Sequence, residues 1–147
     1  MNYTLITGAS AGIGEVFAKE LARAGKNLIL VARRKDKLDA LAQELKAQFG
    51  VEVESLAVDL TSTESSSIIV KQLESSNWTI DGLINNAGFG DRGAFVDLPL
   101  DRQLQMIQLN VTTLVELTHR LLPGMLHQQS PYIINVASTA AFQAGPN

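Results

Sequence analysis

The sequence has 147 residues, 46% of them hydrophobic and 18% charged, which predicts one globular domain with a sizeable core and excludes a disordered chain. Its net charge of −3 gives no general attraction for nucleic acid or for an anionic membrane, and no apolar run is long enough to span a bilayer, so we expect neither partner. The absence of cysteine excludes disulfides, zinc–thiolate sites and cysteine nucleophiles; with no metal site and no secretory signal in view, we expect a cytoplasmic protein.

Short apolar runs alternate along the chain with longer segments of helical period. Strands are predicted at 3–7, 27–32, 51–58, around Leu83 and Ile84, and at 132–136. Helices are predicted at 12–24, 36–49, 61–73 and about 100–127. The glycines at 25 and 50 are placed to end the first two helices.

The apolar periodicity also predicts which helix faces are buried. In the first helix the predicted buried residues are Ile13, Val16, Phe17 and Leu21. In the long fourth helix they are Leu104, Ile107, Val111, Leu114, Val115 and Leu122. We expect Pro123 and Gly124 to bend or end that helix. A hydroxyl of Thr61 or Ser62 is predicted to cap the third.

Strict alternation of strands and helices predicts parallel strands joined by right-handed crossovers. The strands are almost continuously apolar, as expected when helices cover both faces of the sheet. The predicted fold is therefore an α/β, Rossmann-type doubly wound parallel sheet with strand order 3-2-1-4-5, truncated after the fifth strand. Its ligand crevice is expected at the carboxyl ends of strands 1 and 4.

A glycine-rich segment, TGASAGIG at 7–14, joins the first strand to the first helix. Gly8 permits a sharp exit from the strand, Gly12 a close approach of a pyrophosphate, and Gly14 close packing of helix on strand. Free amides at the helix start would bind the phosphates. On this interpretation residues 1–147 are one dinucleotide-binding domain, incomplete at its carboxyl end. The alternative is that the glycines only make a tight turn.

The spacing T-G-x-x-x-G-x-G resembles the short-chain dehydrogenase/reductase family, and four further landmarks follow in the family's order. They are Asp59 in VDL, the NNAG of residues 85–88, Asn110 in LNV, and Ser138 in INVAS. The resemblance implies cofactor contacts from Thr7, Gly8, Ser10, Ala11, Gly12, Ile13, Gly14, Asp59, Leu60, Asn86, Ala87 and Gly88.

The resemblance also implies hydride transfer between a nicotinamide cofactor and a small carbonyl or alcohol substrate. Ser138 would hydrogen-bond the substrate oxygen, and Asn110 would hold a water in the proton relay. The family's general acid, the tyrosine of a Y-x-x-x-K pair, is missing from this sequence. Tyr3 and Tyr132 lie in predicted core strands, with no lysine four residues beyond either. We therefore expect the 147-residue form to be inactive.

The second strand is followed by Arg33, Arg34 and Lys35, with no acidic residue before Asp36. A carboxylate at this point would bind the ribose 2′-hydroxyl of NAD, whereas guanidinium groups bind a 2′-phosphate. The sequence thus favours NADP(H) over NAD(H), with Arg33 the first candidate and Arg34 the second. The alternative is a solvated basic start to a helix.

Three interpretations of the whole chain stay open. It is the amino-terminal part of an NADP(H)-dependent short-chain dehydrogenase/reductase, a non-catalytic dinucleotide-binding module, or a fragment that completes its sheet with another chain. The third follows from the last strand, which would otherwise be an open apolar edge. For a full-length form the resemblance implies a homo-oligomer.

Overall fold

The strands form one parallel sheet with the predicted order. In a computed structural model that describes residues 1–142, the strands are β1 (Asn2–Thr7), β2 (Asn27–Ala32), β3 (Val53–Ala57), β4 (Thr79–Asn85) and β5 (Tyr132–Asn135). Their order is β3-β2-β1-β4-β5, with every neighbouring pair parallel. The direction of the connection reverses at β1, so the carboxyl ends of β1 and β4 form the switch point where ligands bind in such sheets.

The helices are α1 (Gly12–Arg23), α2 (Lys35–Phe49), α3 (Ser65–Ser75), α4 (Leu100–Ile107) and α5 (Leu114–Met125). A π-helical turn (Gln108–Thr113) joins α4 to α5, and short 3-10 turns lie at Phe95–Asp97 and Thr139–Ala141. Pro123 lies inside α5, which ends two residues later, close to the predicted end. No helix among residues 1–142 is both long and apolar enough to cross a membrane.

The core has two layers, one on each face of the sheet. Ile6 and Leu30 face the layer that contains α1 and α2, whereas Leu5 and Ile29 face the layer that contains α3 and α5. All four side chains are fully buried. Successive side chains of β1 and β2 point to opposite faces of the sheet, so each strand contributes residues to both layers of the core. This explains why these strands are apolar at almost every position.

The predicted buried face of α1 is partly wrong. Ile13 and Val16 are 59% and 58% exposed, and the buried positions are Gly14, Ala18 and Ala22. Their spacing of four residues marks the contact face of the helix. The helix lies so close to the sheet that only small side chains fit between them, and Phe17 and Leu21 pack beside that contact.

The predicted inner face of the long helix is also wrong. Its members Leu104, Ile107, Val111, Val115 and Leu122 are exposed, and Leu114 is half-buried. The residues that α5 buries are Leu117, Leu121 and Met125. Apolar residues occur on more than one face of this stretch, and the π turn changes the phase between α4 and α5, so a single helical period could not identify the buried side.

The predicted hydroxyl cap of the third helix is wrong as well. Helix α3 begins at Ser65 and has no side-chain cap. The hydroxyl of Thr61 donates instead to Asp59 Oδ1 at 2.8 Å, and the Ser62 hydroxyl accepts from the amide of Glu64, before the helix starts. A cap needs a hydroxyl at the N-cap position, where it accepts from the first free amides of the helix, and Glu64 occupies that position.

Gly82 in β4 lies in register between Thr4 and Tyr132, whose hydroxyl oxygens are 2.6 Å apart. A Cβ on Gly82 would lie 2.5 Å from Tyr132 Cζ and 2.7 Å from Thr4 Oγ1. Gly82→Ala is expected to displace the tyrosine ring and lower the free energy of unfolding by about 1–3 kcal/mol. Urea unfolding measures the loss. In a Tyr132→Ala background the same change should cost much less, and equal costs in both backgrounds would refute this explanation.

Candidate cofactor-binding and catalytic site

The glycine loop packs directly against the segment that follows β4. Gly8 has a φ of +68°, and a Cβ there would lie 2.8 Å from Asn86 Nδ2. A Cβ on Gly14 would overlap the carbonyl oxygen of Gly8 and lie 2.5 Å from the same amide nitrogen. Gly12 has a φ of +60° but open space around its Cβ position. Two glycines thus allow close packing, and the third leaves room at the start of α1.

Thr7 and Asn86 fasten the glycine loop to the end of β4. The Thr7 hydroxyl donates to Ile84 O and accepts from the amides of Asn86 and Ala87, both at 3.0 Å. The Asn86 side chain donates to the carbonyl oxygens of Thr7 and Gly8 at 3.0 and 3.3 Å. The side chains of these two predicted cofactor residues therefore hold the two loops together by hydrogen bonds. Sequence reasoning did not identify this contact.

A cleft of about 170 Å³ opens beside these loops, at the carboxyl ends of the strands. It is lined by Gly8, Ser10, Ala32, Arg33, Arg34, Val58, Asp59, Leu60, Thr61, Ala87, Gly88 and Leu109. The structure brings most of the predicted cofactor residues together here. Ala11, Gly12 and Ile13 lie nearby on the exposed first turn of α1. Sequence reasoning missed Ala32 and Val58, although each is the last residue of a predicted strand and therefore lies at this edge of the sheet.

Asp59 is fixed at the end of the cleft as an ionised group. Its Oδ1 accepts hydrogen bonds from the amide and the hydroxyl of Thr61, at 3.0 and 2.8 Å. The hydrogen bond from the Thr61 amide is the main cause that lowers the pKa of the Asp59 carboxyl, and the positive charge of Arg33 also lowers it. Because this side chain accepts hydrogen bonds at neutral pH, it can bind the donor groups of a ligand.

The three basic residues after β2 have different partners. Arg34 donates to Ser10 Oγ at 3.0 Å and to Ser10 O at 3.3 Å, which ties it to the glycine loop. Lys35 forms an ion pair with Asp39. Arg33 lines the cleft, and among residues 1–142 its guanidinium makes no hydrogen bond or ion pair. It is therefore the cation most available to an anionic ligand.

The predicted catalytic residues lie on two separate elements. Ser138 is exposed after β5, where its Oγ accepts from the amide of Ala140 at 3.1 Å. Asn110 lies in the π turn, and its Oδ1 accepts from Phe89 N at 3.1 Å while its Nδ2 donates to Phe89 O at 2.8 Å. The Asn110 amide thus holds the segment after NNAG, a contact that the spacing alone does not indicate.

Neither tyrosine reaches this edge of the sheet. Tyr3 lies near the amino end of β1 and is buried, which is the main cause that raises the pKa of its phenol. Tyr132 opens β5, and its hydroxyl contacts Thr4. Both positions are at the amino ends of parallel strands, opposite the cleft. Among the described residues, the cleft therefore has no phenol that could donate a proton.

Comparison with known proteins agrees with this geometry. Residues 2–147 match the sequence profile of the family described as short chain dehydrogenase. The chain belongs to that family. The very-long-chain 3-oxoacyl-CoA reductase of Anas platyrhynchos is 35% identical over 150 residues, which cover 98% of this chain and 47% of the relative. The human protein of the same name is also 35% identical, over 92% of this chain and 44% of its own length. The chain thus spans about half the length of these relatives.

Solved structures of the same family share the fold. A short-chain dehydrogenase from Sphingobium yanoikuyae in complex with NADPH is 38% identical, with a TM-score of 0.86 over 97% of this chain and 55% of that one. L-sorbose reductase from Gluconobacter frateurii, complexed with NADPH and L-sorbose, is 36% identical, with a TM-score of 0.88 over 95% of this chain and 53% of that one.

Proposed function

We propose that this chain is the dinucleotide-binding part of an NADP(H)-dependent oxidoreductase that acts on a carbonyl or alcohol substrate. The observation that carries the proposal is the cleft at the carboxyl ends of the strands, which combines the glycine loop, Arg33, Arg34 and Asp59. The relatives with NADPH bound support a nicotinamide dinucleotide as its ligand. When bound, the nicotinamide supplies or accepts the hydride.

The start of α1 suits the diphosphate of such a ligand. Ala11, which precedes the helix, makes no side-chain cap, so the first amides have no side-chain acceptor. The first turn is exposed, and the space beside Gly12 is open. Unpaired amides together with the positive end of the helix dipole favour a phosphate group at this position.

The preference for NADP(H) rests on Arg33. Arg34 and Lys35 already have partners in Ser10 and Asp39, whereas Arg33 faces the cleft without one among residues 1–142. A guanidinium can bind a 2′-phosphate with two charge-assisted hydrogen bonds. Arg33 is therefore the principal 2′-phosphate ligand, and Arg34 supports the glycine loop beside it.

Arg33→Ala is expected to weaken NADPH binding about 10- to 100-fold, because a hydrogen bond to a charged group contributes about 1.5–3 kcal/mol. Binding of NADH, which has no 2′-phosphate, should change little. Calorimetric titration of the 147-residue chain with NADPH and with NADH measures the two dissociation constants. Lys35→Ala is the matched control, since it removes one positive charge from a residue paired with Asp39.

Two results would contradict this assignment. Equal losses of NADPH and NADH affinity in Arg33→Ala would mean that the residue supports the cleft and does not select the 2′-phosphate. An equal loss of NADPH affinity in Lys35→Ala would mean that general positive charge, and not a specific contact, attracts the nucleotide.

In the reaction, Ser138 would hydrogen-bond the substrate oxygen, and Asn110, which also bonds the Phe89 backbone, would hold a water in the proton relay. Among residues 1–142 no phenol lies beside the cleft, which favours a second candidate function, a dinucleotide-binding module without turnover. Two further expectations, a cytoplasmic location and a homo-oligomeric full-length form, stay predictions.

A further inference from the structure

The segment 89–97, which follows the NNAG motif, is bonded near its start to the helical stretch 100–125, through Phe89 and Asp91. Phe89 is half-buried, whereas residues 90–97 are exposed. Gly88, which immediately precedes the segment, lines the cofactor cleft. Because Gly88 is bonded to Phe89 along the chain, its position in the cleft wall depends on the contacts that hold Phe89.

Two contacts hold Phe89. Asn110 satisfies both its backbone amide and its carbonyl, and a Cβ on Gly88 would lie 3.1 Å from Asn110 Oδ1, so Gly88 also packs tightly on this side chain. On the ring, the guanidinium carbon of Arg102 lies 4.0 Å from the centroid of Phe89. This distance is within the range of cation–π attraction.

The same arginine also reaches Asp91. Arg102 Nε lies 3.7 Å from Asp91 Oδ2, while Asp91 Oδ1 accepts from the amide of Arg92 at 3.0 Å. Arg102 belongs to the first turn of α4, where its own amide is bonded to Pro99 O. A residue of the first turn of α4 thus contacts both the ring of Phe89 and the carboxylate of Asp91.

We infer that Arg102 is a positioning residue for the cofactor cleft. By stacking on Phe89 and pairing with Asp91, it keeps the Phe89 backbone within reach of Asn110 and so fixes Gly88 at the cleft wall. The inference rests on the proposed function, because its effect on binding is measured with NADPH. A lysine ammonium could pair with Asp91 or lie over the ring, but it lacks the broad planar guanidinium that does both at once, so lysine can replace only part of the contact.

The test uses the 147-residue chain and two measurements. Hydrogen exchange at the Phe89 amide reports the Asn110 contact, with the Ile29 amide of the central sheet as a reference for global unfolding. In Arg102→Ala we expect Phe89 exchange to rise about 10-fold while Ile29 is unchanged, and NADPH affinity to fall about 3- to 10-fold, because exposed cation–π and ion-pair contacts are individually weak. In Arg102→Lys, both the Phe89 exchange rate and the NADPH affinity should lie between those of Arg102→Ala and the wild type.

Arg120→Ala is the matched control. Arg120 is exposed on α5, away from the segment, and should leave both measurements unchanged. Unchanged Phe89 exchange in Arg102→Ala would overturn the inference, as would faster exchange with unchanged NADPH affinity or an equal rise at Ile29. Should the wild-type chain fail to bind NADPH, the proposed function fails, and the Phe89 exchange alone then decides whether Arg102 holds the segment.

Discussion

Gly14→Ala is expected to lower the free energy of unfolding by at least about 3 kcal/mol, above the usual range for an added methyl group in a packed region. The new Cβ would overlap the carbonyl oxygen of Gly8 and lie 2.5 Å from Asn86 Nδ2. The first of these is a backbone atom next to β1, which cannot move aside as a flexible side chain can. The helix must instead shift away from the sheet, and this shift also opens the loop that we propose binds the diphosphate.

Gly124→Ala is the matched control for this change. Gly124 also lies in a helix, but a Cβ there meets nothing within 4 Å, and its φ is not positive. Alanine is the better helix former, so this variant should be about 0.5–1 kcal/mol more stable than the wild type. Urea unfolding followed by circular dichroism measures both. A Gly14→Ala variant that unfolds at the wild-type urea concentration would show that the loop and α1 can separate without cost.

The sheet could be predicted because its determinants are local. A continuous apolar run such as that of β2 occurs only where both faces are covered, and its alternation with helices leaves few topologies. The faces of the helices could not be predicted in the same way. In α1 the contact is made by Ala18 and Ala22, which carry little hydrophobic signal, and the larger Ile13 and Val16 point away from it.

The site was predictable as a set of positions and not as a set of contacts. Motif spacing placed Gly8, Asp59 and Gly88 at one edge of the sheet, and the structure puts all three in one cleft. The bonds of Asn86 to Thr7, 79 residues away, and of Asn110 to Phe89 depend on how loops from different strands meet. No periodicity in the sequence contains that information, so the supporting roles of these two asparagines emerge only from the fold.

The 147-residue chain is expected to show no measurable reduction of ketones by NADPH, even where it binds the cofactor. Hydride addition to a carbonyl leaves an alkoxide that must take up a proton, and a positioned general acid accelerates such a step about 10²- to 10⁴-fold. The sequence has only two tyrosines. Tyr3 is buried, with the pKa of its phenol raised above the ordinary value, so it is a weaker acid than a free tyrosine.

Neither the second tyrosine nor the two predicted catalytic residues can replace that acid. The Tyr132 hydroxyl is bonded to Thr4 within the sheet, away from the carboxyl ends of the strands, and the Asn110 amide has no acidic proton and is bonded to Phe89. Ser138 can donate a hydrogen bond to the substrate oxygen, but an aliphatic hydroxyl is a weaker acid than a phenol and therefore a poorer general acid. The assay follows NADPH absorbance with a panel of ketones, on protein whose intact mass matches 147 residues. Turnover that disappears in Ser138→Ala would mean that this chain has a proton donor that the described residues do not explain, and the expectation of no turnover would then be wrong.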